Sequence, residues 1–591
     1  MQTSRYWRII ALVMVAALVL SACGPAAAPA AEQPAEAPAA EAPAEKAAPA
    51  AETGPRRGGT ITFALYQEPE ILNPAICTQT ACDEVLEFIM EAPLGVDPDG
   101  NYFPILATEV PTVENGGVSE DGMTVTVHFK EGIKWSDGEP FTSDDFKFTW
   151  EAIVHPESGA VSTSGWEDIE TIETPDDTTA IIKFKNFYAP YLFLLTASIM
   201  PRHATGDPAN MQKWDFNWKP IGTGPFMMTE WVSGDHITLV KNPNYREAPE
   251  KPYLDGVNII ITPSREVGKA MIQTGEVDIL WDLVEADIPD FENMEGVVLS
   301  APPDTGTERL LLNLADPTLD ATDDPLNHPH WALGDLRVRQ AIQYGIDKAK
   351  INDELLYGKA TLGTSELNLG WAKCDIPVSE FNPDKARQLL EEAGWVDTDG
   401  DGIRECHGCS YAEEGRPLRL KIQTTSGNKL REQVEQLLVE MMGDIGIELY
   451  IENVPSSVLF GSWASGAFRK RGNFDILMYT TSYGVDPQSH IEGYFASWNI
   501  PTHANNGSGF NYSRWIDPEA DAAIKEAGSS PDLKVRKAAY QRVCERIAEG
   551  LPHIYLYDRM ELNAYSARLQ GWIDNNWMDI GWNAEDWWLA E

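Results

Sequence analysis

Basic residues are scarce: 45 Lys and Arg stand against 91 Asp and Glu in 591 residues, a formal charge of -46. No segment gathers the Lys/Arg cluster that a phosphate backbone demands, which excludes nucleic acid as a partner. Catalytic signatures are missing as well. There is no Gly-x-Ser-x-Gly elbow, no His-Glu-x-x-His pair and no complete phosphate loop. Gly222 and Gly224 lack the spacing and the following Gly-Lys-Ser/Thr of such a loop, and read as a tight strand connection. Ten histidines without compact ligand spacing argue against nickel. With 91 acidic residues, carboxylate pairs identify nothing by themselves, although a cell-surface glycoside hydrolase stands as the alternative of another class. The apolar run from Ile9 to Leu20 is too short to span a bilayer.

What is present is a large core in the making. Hydrophobic residues make up 43% of the chain and aromatic residues 10%, enough to fold a body of at least two domains. Arg5 and Arg8 ahead of the short apolar run mark residues 1–22 as an export signal, whose removal leaves 43 basic against 91 acidic residues. Gly24 to Pro55 holds 15 Ala, 7 Pro and 5 Glu in 32 residues, and its prolines interrupt any Ala/Glu helix. This stretch, 23–55 with its first cysteine, reads as a disordered tether.

Beyond the tether, periodicity predicts strands over Thr60 to Leu65 and Met123 to Lys130, and Thr142 with Asp145 forms a capping box ahead of Phe146, Phe148 and Trp150. A strand from Leu418 to Gln423, a helix from Lys429 to Met442 and a strand from Ile447 to Ile451 make a βαβ unit, hence a sheet covered by helices. Asn382 and Pro383 start a further helix, others fit Pro518 to Ala527 and Leu533 to Glu549, and Leu551 to Tyr557 is an apolar strand.

Two sets of motifs carry resemblances. Leu20-Ser21-Ala22-Cys23 resembles the lipobox of bacterial lipoproteins, which implies cleavage before Cys23 and its acylation, and so an extracytoplasmic protein anchored to the membrane. "GGTITFALYQEPEILNP" from Gly58, "DGMTVTVHFKEGIKWSDGEPFTSDDFKFTWE" from Asp121, "PIGTGPFMMTEWVSGDHITLVKNPNY" from Pro220 and "LRVRQAIQYGID" from Leu336 resemble the family 5 extracytoplasmic solute-binding proteins of ABC importers. The resemblance implies an α/β, two-lobed periplasmic-binding-protein-like fold (type II, cluster C) with an inserted domain. Lobe one is then 56–95, 221–325 and 555–591, the insert 96–220 and lobe two 326–554. It implies no catalysis and no cofactor, but a monomer that captures a small peptide or an oligosaccharide in the interlobe cleft. Delivery is to an ABC permease driven by separate ATPase subunits.

In peptide-binding members an Asp-Tyr-x-Asp-Pro segment supplies an acid for the peptide ammonium. Here Ser482 precedes Tyr483, and one extra residue precedes Asp486-Pro487. The missing acid predicts a ligand less dependent on a free ammonium, because a hydroxyl does not replace a charge-assisted contact. Ser482, Tyr483 and Asp486, with the aromatic residues Trp498, Phe510 and Tyr512, are the expected ligand contacts, and the aromatic faces keep oligosaccharide as the second ligand class. Trp572, Trp577, Trp582, Trp587 and Trp588 either join them or seal lobe one.

Apart from Cys23, six cysteines in an exported chain predict disulfides among fifteen pairings. Cys77 with Cys82 and Cys406 with Cys409 are the economical local pairs, leaving Cys374 with Cys544. Cys406-His407-Gly408-Cys409 lacks the helix that stabilises a redox thiolate, and a zinc site there needs ligands the sequence does not locate. Asp397, Asp399 and Asp401 resemble the opening of a calcium loop, but its twelfth position is Gly408 instead of Glu; a Gly/Asp turn is the favoured reading.

Overall fold

Two β-sheets, joined by two crossings of the chain, organise residues 54–322 and 324–590, the part that the computed structural model describes. The expected signal segment, Cys23 and the tether to residue 53 lie outside the described residues. Among the described residues no helix is long and apolar enough to cross a membrane.

The first sheet runs Val297–Ser300, Asn563–Ser566, Ile279–Leu280, Thr60–Leu65, Gly256–Ile261, His236–Lys241, Phe226–Val232. Thr60–Leu65 sits inside it, parallel to both neighbours. Such a strand is covered on both faces, which is why Phe63, Ala64 and Leu65 are all apolar and buried. Two glycines of the segment before Phe226 are required by close approach: Gly224 N–H donates to Ile89 O at 2.9 Å, and a Cβ on Gly222 would collide with the same carbonyl.

The second sheet runs Glu448–Ile451, Arg419–Gln423, Ile476–Thr481, Pro303–Leu312, His553–Met560. Its βαβ unit follows from the sequence: the helix Lys429–Gly443 buries Val434, Leu438, Met441 and Met442, Asn428 accepts from Arg431 N–H at 3.1 Å as N-cap, and the flanking strands pair in parallel. A third, three-stranded sheet (Thr124–His128, Thr179–Phe184, Ile169–Asp176) carries the helix Ser143–Val154, whose capping box forms, with Thr142 N–H donating to Asp145 at 2.9 Å. It has its own core around Val125, Phe146, Trp135 and Ile182.

The strand pairing corrects the expected lobe boundaries. Pro303–Leu312 and His553–Met560 pair with each other and belong to the second sheet, so residues 303–325 and 555–560 do not extend lobe one. The chain passes between sheets at Ala301-Pro302 and again at Glu561-Leu562. The two crossings touch, with Glu561 N–H donating to Pro302 O at 3.0 Å. A pair of short antiparallel connections of this kind is a hinge between rigid bodies. Three disulfides, Cys77–Cys82, Cys374–Cys544 and Cys406–Cys409, tie down the helix Thr80–Leu86, the helix Leu533–Gly550 and a loop of lobe two.

Candidate functional site

A cavity of about 520 Å³ opens beside the crossings and takes its walls from both lobes. Lobe one supplies Tyr66, which follows the strand Thr60–Leu65, Glu84 on the helix Thr80–Leu86, and Trp281 and Asp282 after Ile279–Leu280. The strand entering lobe two supplies Asp304, the second crossing supplies Glu561, and the C-terminal segment supplies Trp577 and Asp579. Side chains that follow the carboxyl ends of parallel strands gather here, the usual position of a ligand site in an α/β sheet. Larger hollows exist elsewhere, the largest at about 930 Å³ between the insert and the edge strand Phe226–Val232. The hinge cavity is the one that opening of the crossings would reshape, and this decides between them.

Tyr66 stacks on Trp281 with ring centres 5.4 Å apart and planes 14° from parallel. The Arg265 guanidinium lies 4.3 Å above Tyr66 and pairs with Asp282, which also accepts from Tyr66 OH at 2.7 Å. Asp282 has φ +58°, a strained position for a residue with a side chain, held by its N–H to Asn563 at 3.1 Å. The other four carboxylates, Glu84, Asp304, Glu561 and Asp579, have no ion pair among the described residues, and no Lys, Arg or His lines the cavity. Burial pushes Glu561 and Asp579 up to about 7, and their acidic neighbours add to it. Glu84 rises well above its ordinary value, through burial first and then Asp579 and Glu561.

The expected contacts divide. Ser482 is exposed at the end of Ile476–Thr481, and its Oγ and the Asp304 carboxylate flank the same backbone at Gly306. Tyr483 is buried, donates to Asn368 Oδ1 at 2.9 Å and lies 6.1 Å from Trp577, one layer behind the cavity. Asp486 is not a free acid: Arg536 holds both of its oxygens, at 2.6 and 2.7 Å. It lines a separate hollow of about 660 Å³ between the insert and lobe two.

Trp498 is half-exposed, donates to Glu492 at 3.2 Å and carries Lys525 over its ring; Phe510 stacks on Tyr494 at 5.5 Å; Tyr512 is core, beneath Arg469. None of these three lines the hinge cavity, because their segment, 494–515, packs on lobe two away from the crossings. Of the terminal tryptophans, Trp572 and Trp587 stack at 5.2 Å inside lobe one, whereas Trp577 reaches the cavity.

Two other motifs resolve locally. The Asp397, Asp399, Asp401 and Glu405 oxygens lie within 4.8 Å of one another. Each caps its own turn: Asp397 accepts from Gly400 and Gly402, Asp399 from Asp401, Asp401 from Ile403 and Glu405 from Thr398. His407, between Cys406 and Cys409, pairs with Glu414 at 2.8 Å. The cavity residues that sequence reading missed, Tyr66, Glu84, Trp281, Asp304 and Glu561, are scattered through the chain. Tyr66, Trp281 and Glu561 share one local signal, position just beyond a strand end, whereas Glu84 lies on a helix and Asp304 within a strand.

The fold has known counterparts. The model of bacterial extracellular solute-binding proteins, family 5 Middle, matches residues 101–502. The oligopeptide-binding protein AppA of Bacillus subtilis is 27% identical over 594 residues, 99% of this chain and 98% of that protein. Its structure, in complex with a nonapeptide, superposes with a TM-score of 0.60 at 26% identity, covering 91% of this chain and all of that one. The nickel-binding periplasmic protein of Escherichia coli is 25% identical over 474 residues, 78% of this chain and 82% of that protein. The murein tripeptide-binding protein MppA, in its unliganded open form, shares the fold at 17% identity with a TM-score of 0.73, covering 91% and 99% of the two chains.

Proposed function

Because the chain belongs to the bacterial extracellular solute-binding proteins, family 5, we propose that it captures an oligopeptide or a related small solute between its lobes and delivers it to the permease of an ABC importer. The observation that carries this reading is the cavity at the paired crossings, where Asp304 of the strand entering lobe two and Glu561 of the second crossing meet a wall supplied by lobe one. In the open state the solute meets Tyr66, Trp281 and the carboxylates of one side. Rotation about Ala301-Pro302 and Glu561-Leu562 then brings the other side onto it and expels water.

Capture requires no bond chemistry, so the chain acts by differential affinity: the solute stabilises the closed form and the permease favours release from it. The relatives are solute-binding proteins and not enzymes, and the glycoside hydrolase alternative lapses with them. Cys23, lipidated, and the Ala/Pro tether after it would keep the body near the permease.

Mass spectrometry of protein purified gently from its native membrane tests both points. A released small solute that rebinds in calorimetry, together with a diacylglyceryl mass on Cys23, is the expected result. Protein that carries no solute and binds none from a peptide library would overturn the capture reading, and an unmodified mature chain would overturn the anchor.

A further inference from the structure

The geometry points to a solute with at least two positive charges, an amine- or guanidine-bearing oligocation, held by Asp304, Glu561, Asp579 and Glu84 against the Tyr66–Trp281 stack. This inference rests on the solute-binding reading and names the class of solute that the hinge cavity takes.

Four carboxylates share one cavity with no basic side chain among its lining residues. Three of them have hydrogen bonds from uncharged donors: Asp304 accepts from Thr305 N–H at 2.6 Å and Glu561 from Asn563 at 3.1 Å, both close in sequence, and Glu84 from the distant Ile580 N–H at 3.1 Å. Glu84 is 2% exposed, and its second oxygen makes no hydrogen bond among those described. A buried carboxylate without a counterion is costly, several kcal/mol as an order of magnitude, and an entering cation removes that cost. The Trp281 ring adds a face that attracts cations, while the two faces of Tyr66 are taken by Trp281 and by Arg265.

The competing ligands fit less well. A neutral sugar would hydrogen-bond the carboxyl groups without favouring their ionised form, and a transition metal would find no imidazole among the lining residues. The acid absent at Ser482 is thus offset in space by acids from other segments, Asp304 beside it first of all. This runs against the weaker dependence on a free ammonium that position 482 alone predicts. A volume of about 520 Å³ suits a short oligocation, whether a linear polyamine or a Lys/Arg-bearing peptide.

Titration calorimetry on the dialysed full chain at pH 7.5 tests the inference with spermidine, Lys-Ala-Lys, its side-chain-acetylated form, Ala-Ala-Ala and a neutral trisaccharide. At least one of the two oligocations is expected to bind at least tenfold tighter than the neutral probes, and to lose affinity as sodium chloride is raised. Spermidine alone binding identifies free polyamine as the source; Lys-Ala-Lys alone identifies cationic peptide. Glu561→Gln and Asp304→Asn should each weaken the bound oligocation about tenfold, with folding checked by circular dichroism. If either variant fails to fold, the salt dependence of wild-type binding decides the question. Equal affinity for Lys-Ala-Lys and its acetylated form, insensitive to salt, would overturn the charge inference and leave solute capture standing. Absence of binding by every probe, with no solute released from the native protein, would overturn both.

Discussion

Arg536 and Asp486 illustrate how one buried pair decides what a residue is free to do. The guanidinium is 1% exposed and the carboxylate 4%. Besides the two bonds to Asp486, Arg536 donates to Ala189 O at 3.0 Å, to Ala527 O at 3.0 Å and to Tyr540 OH at 2.9 Å. One side chain therefore fastens the insert to two helices of lobe two. Removing it strands a buried anion, a loss of about 3 to 5 kcal/mol, whereas removing both charges together avoids that penalty. Arg536→Met is expected to lower the unfolding free energy read from urea titration by an amount in that range, and Arg536→Met with Asp486→Leu to recover part of it. Solute affinity should change little in the double variant, because neither residue lines the hinge cavity. Calorimetry with the solute released from the native protein checks that separation.

At the scale of elements, the disulfides differ in what they close. Cys374–Cys544 joins positions 170 residues apart and pins a loop to the helix Leu533–Gly550, whereas Cys77–Cys82 spans 5 and Cys406–Cys409 spans 3. Loop-closure entropy grows with the logarithm of span, giving about 5 kcal/mol for the long bridge and about 2 for a short one before strain is subtracted. The double variant Cys374→Ala/Cys544→Ala should therefore lose more thermal stability than Cys77→Ala/Cys82→Ala, as scanning calorimetry would show; the opposite order would mean that the short bridges do more than close loops. Elements of this size were readable where their signals are local. Asn382 caps Pro383–Glu392 and Asp145 completes its capping box because these contacts span three residues. The two crossing strands were misassigned because nothing within Pro303–Leu312 says which sheet it will join; that depends on partners at 476–481 and 553–560. The cavity was illegible for the same reason. Glu84, Asp304, Glu561 and Asp579 are four of 91 acidic residues, and only the fold brings them together.

For the whole molecule, the concentration of buried acid sets a pH dependence opposite in sign to that of carboxylates held in ion pairs. Glu and Asp ordinarily release their protons near 4.5 and 3.8, but burial holds Glu561, Asp579 and Glu585 near 7 and Asp83 near 6 in the folded chain. Between those limits the folded state binds more protons than the unfolded one, so stability falls as pH rises through the window and is regained on acidification. Mutual repulsion within a chain of formal charge -46 works in the same direction. His553 opposes it: burial, and then Arg309, press it down to about 4, so the unfolded chain takes up that proton first as pH falls below 6.5. Glu366, held well below its ordinary value by Arg309, by its hydrogen bond with His490 and by the neighbouring His553 despite its burial, loses its contribution only below about 4.5, outside the window. One histidine against at least four carboxyls leaves the solute-free protein more stable at pH 5.5 than at 7.5. An oligocation that needs Glu561 and Asp579 ionised should invert the order. A ligand at a hundred times its Kd adds about 2.7 kcal/mol where it binds, and at pH 5.5 protons compete with it. Thermal unfolding with and without Lys-Ala-Lys at the two pH values reads this directly. A higher Tm at pH 5.5 without ligand, and a ligand-induced rise confined to pH 7.5, are expected. A solute-free Tm that falls on acidification would mean that these buried carboxyls ionise near their ordinary values.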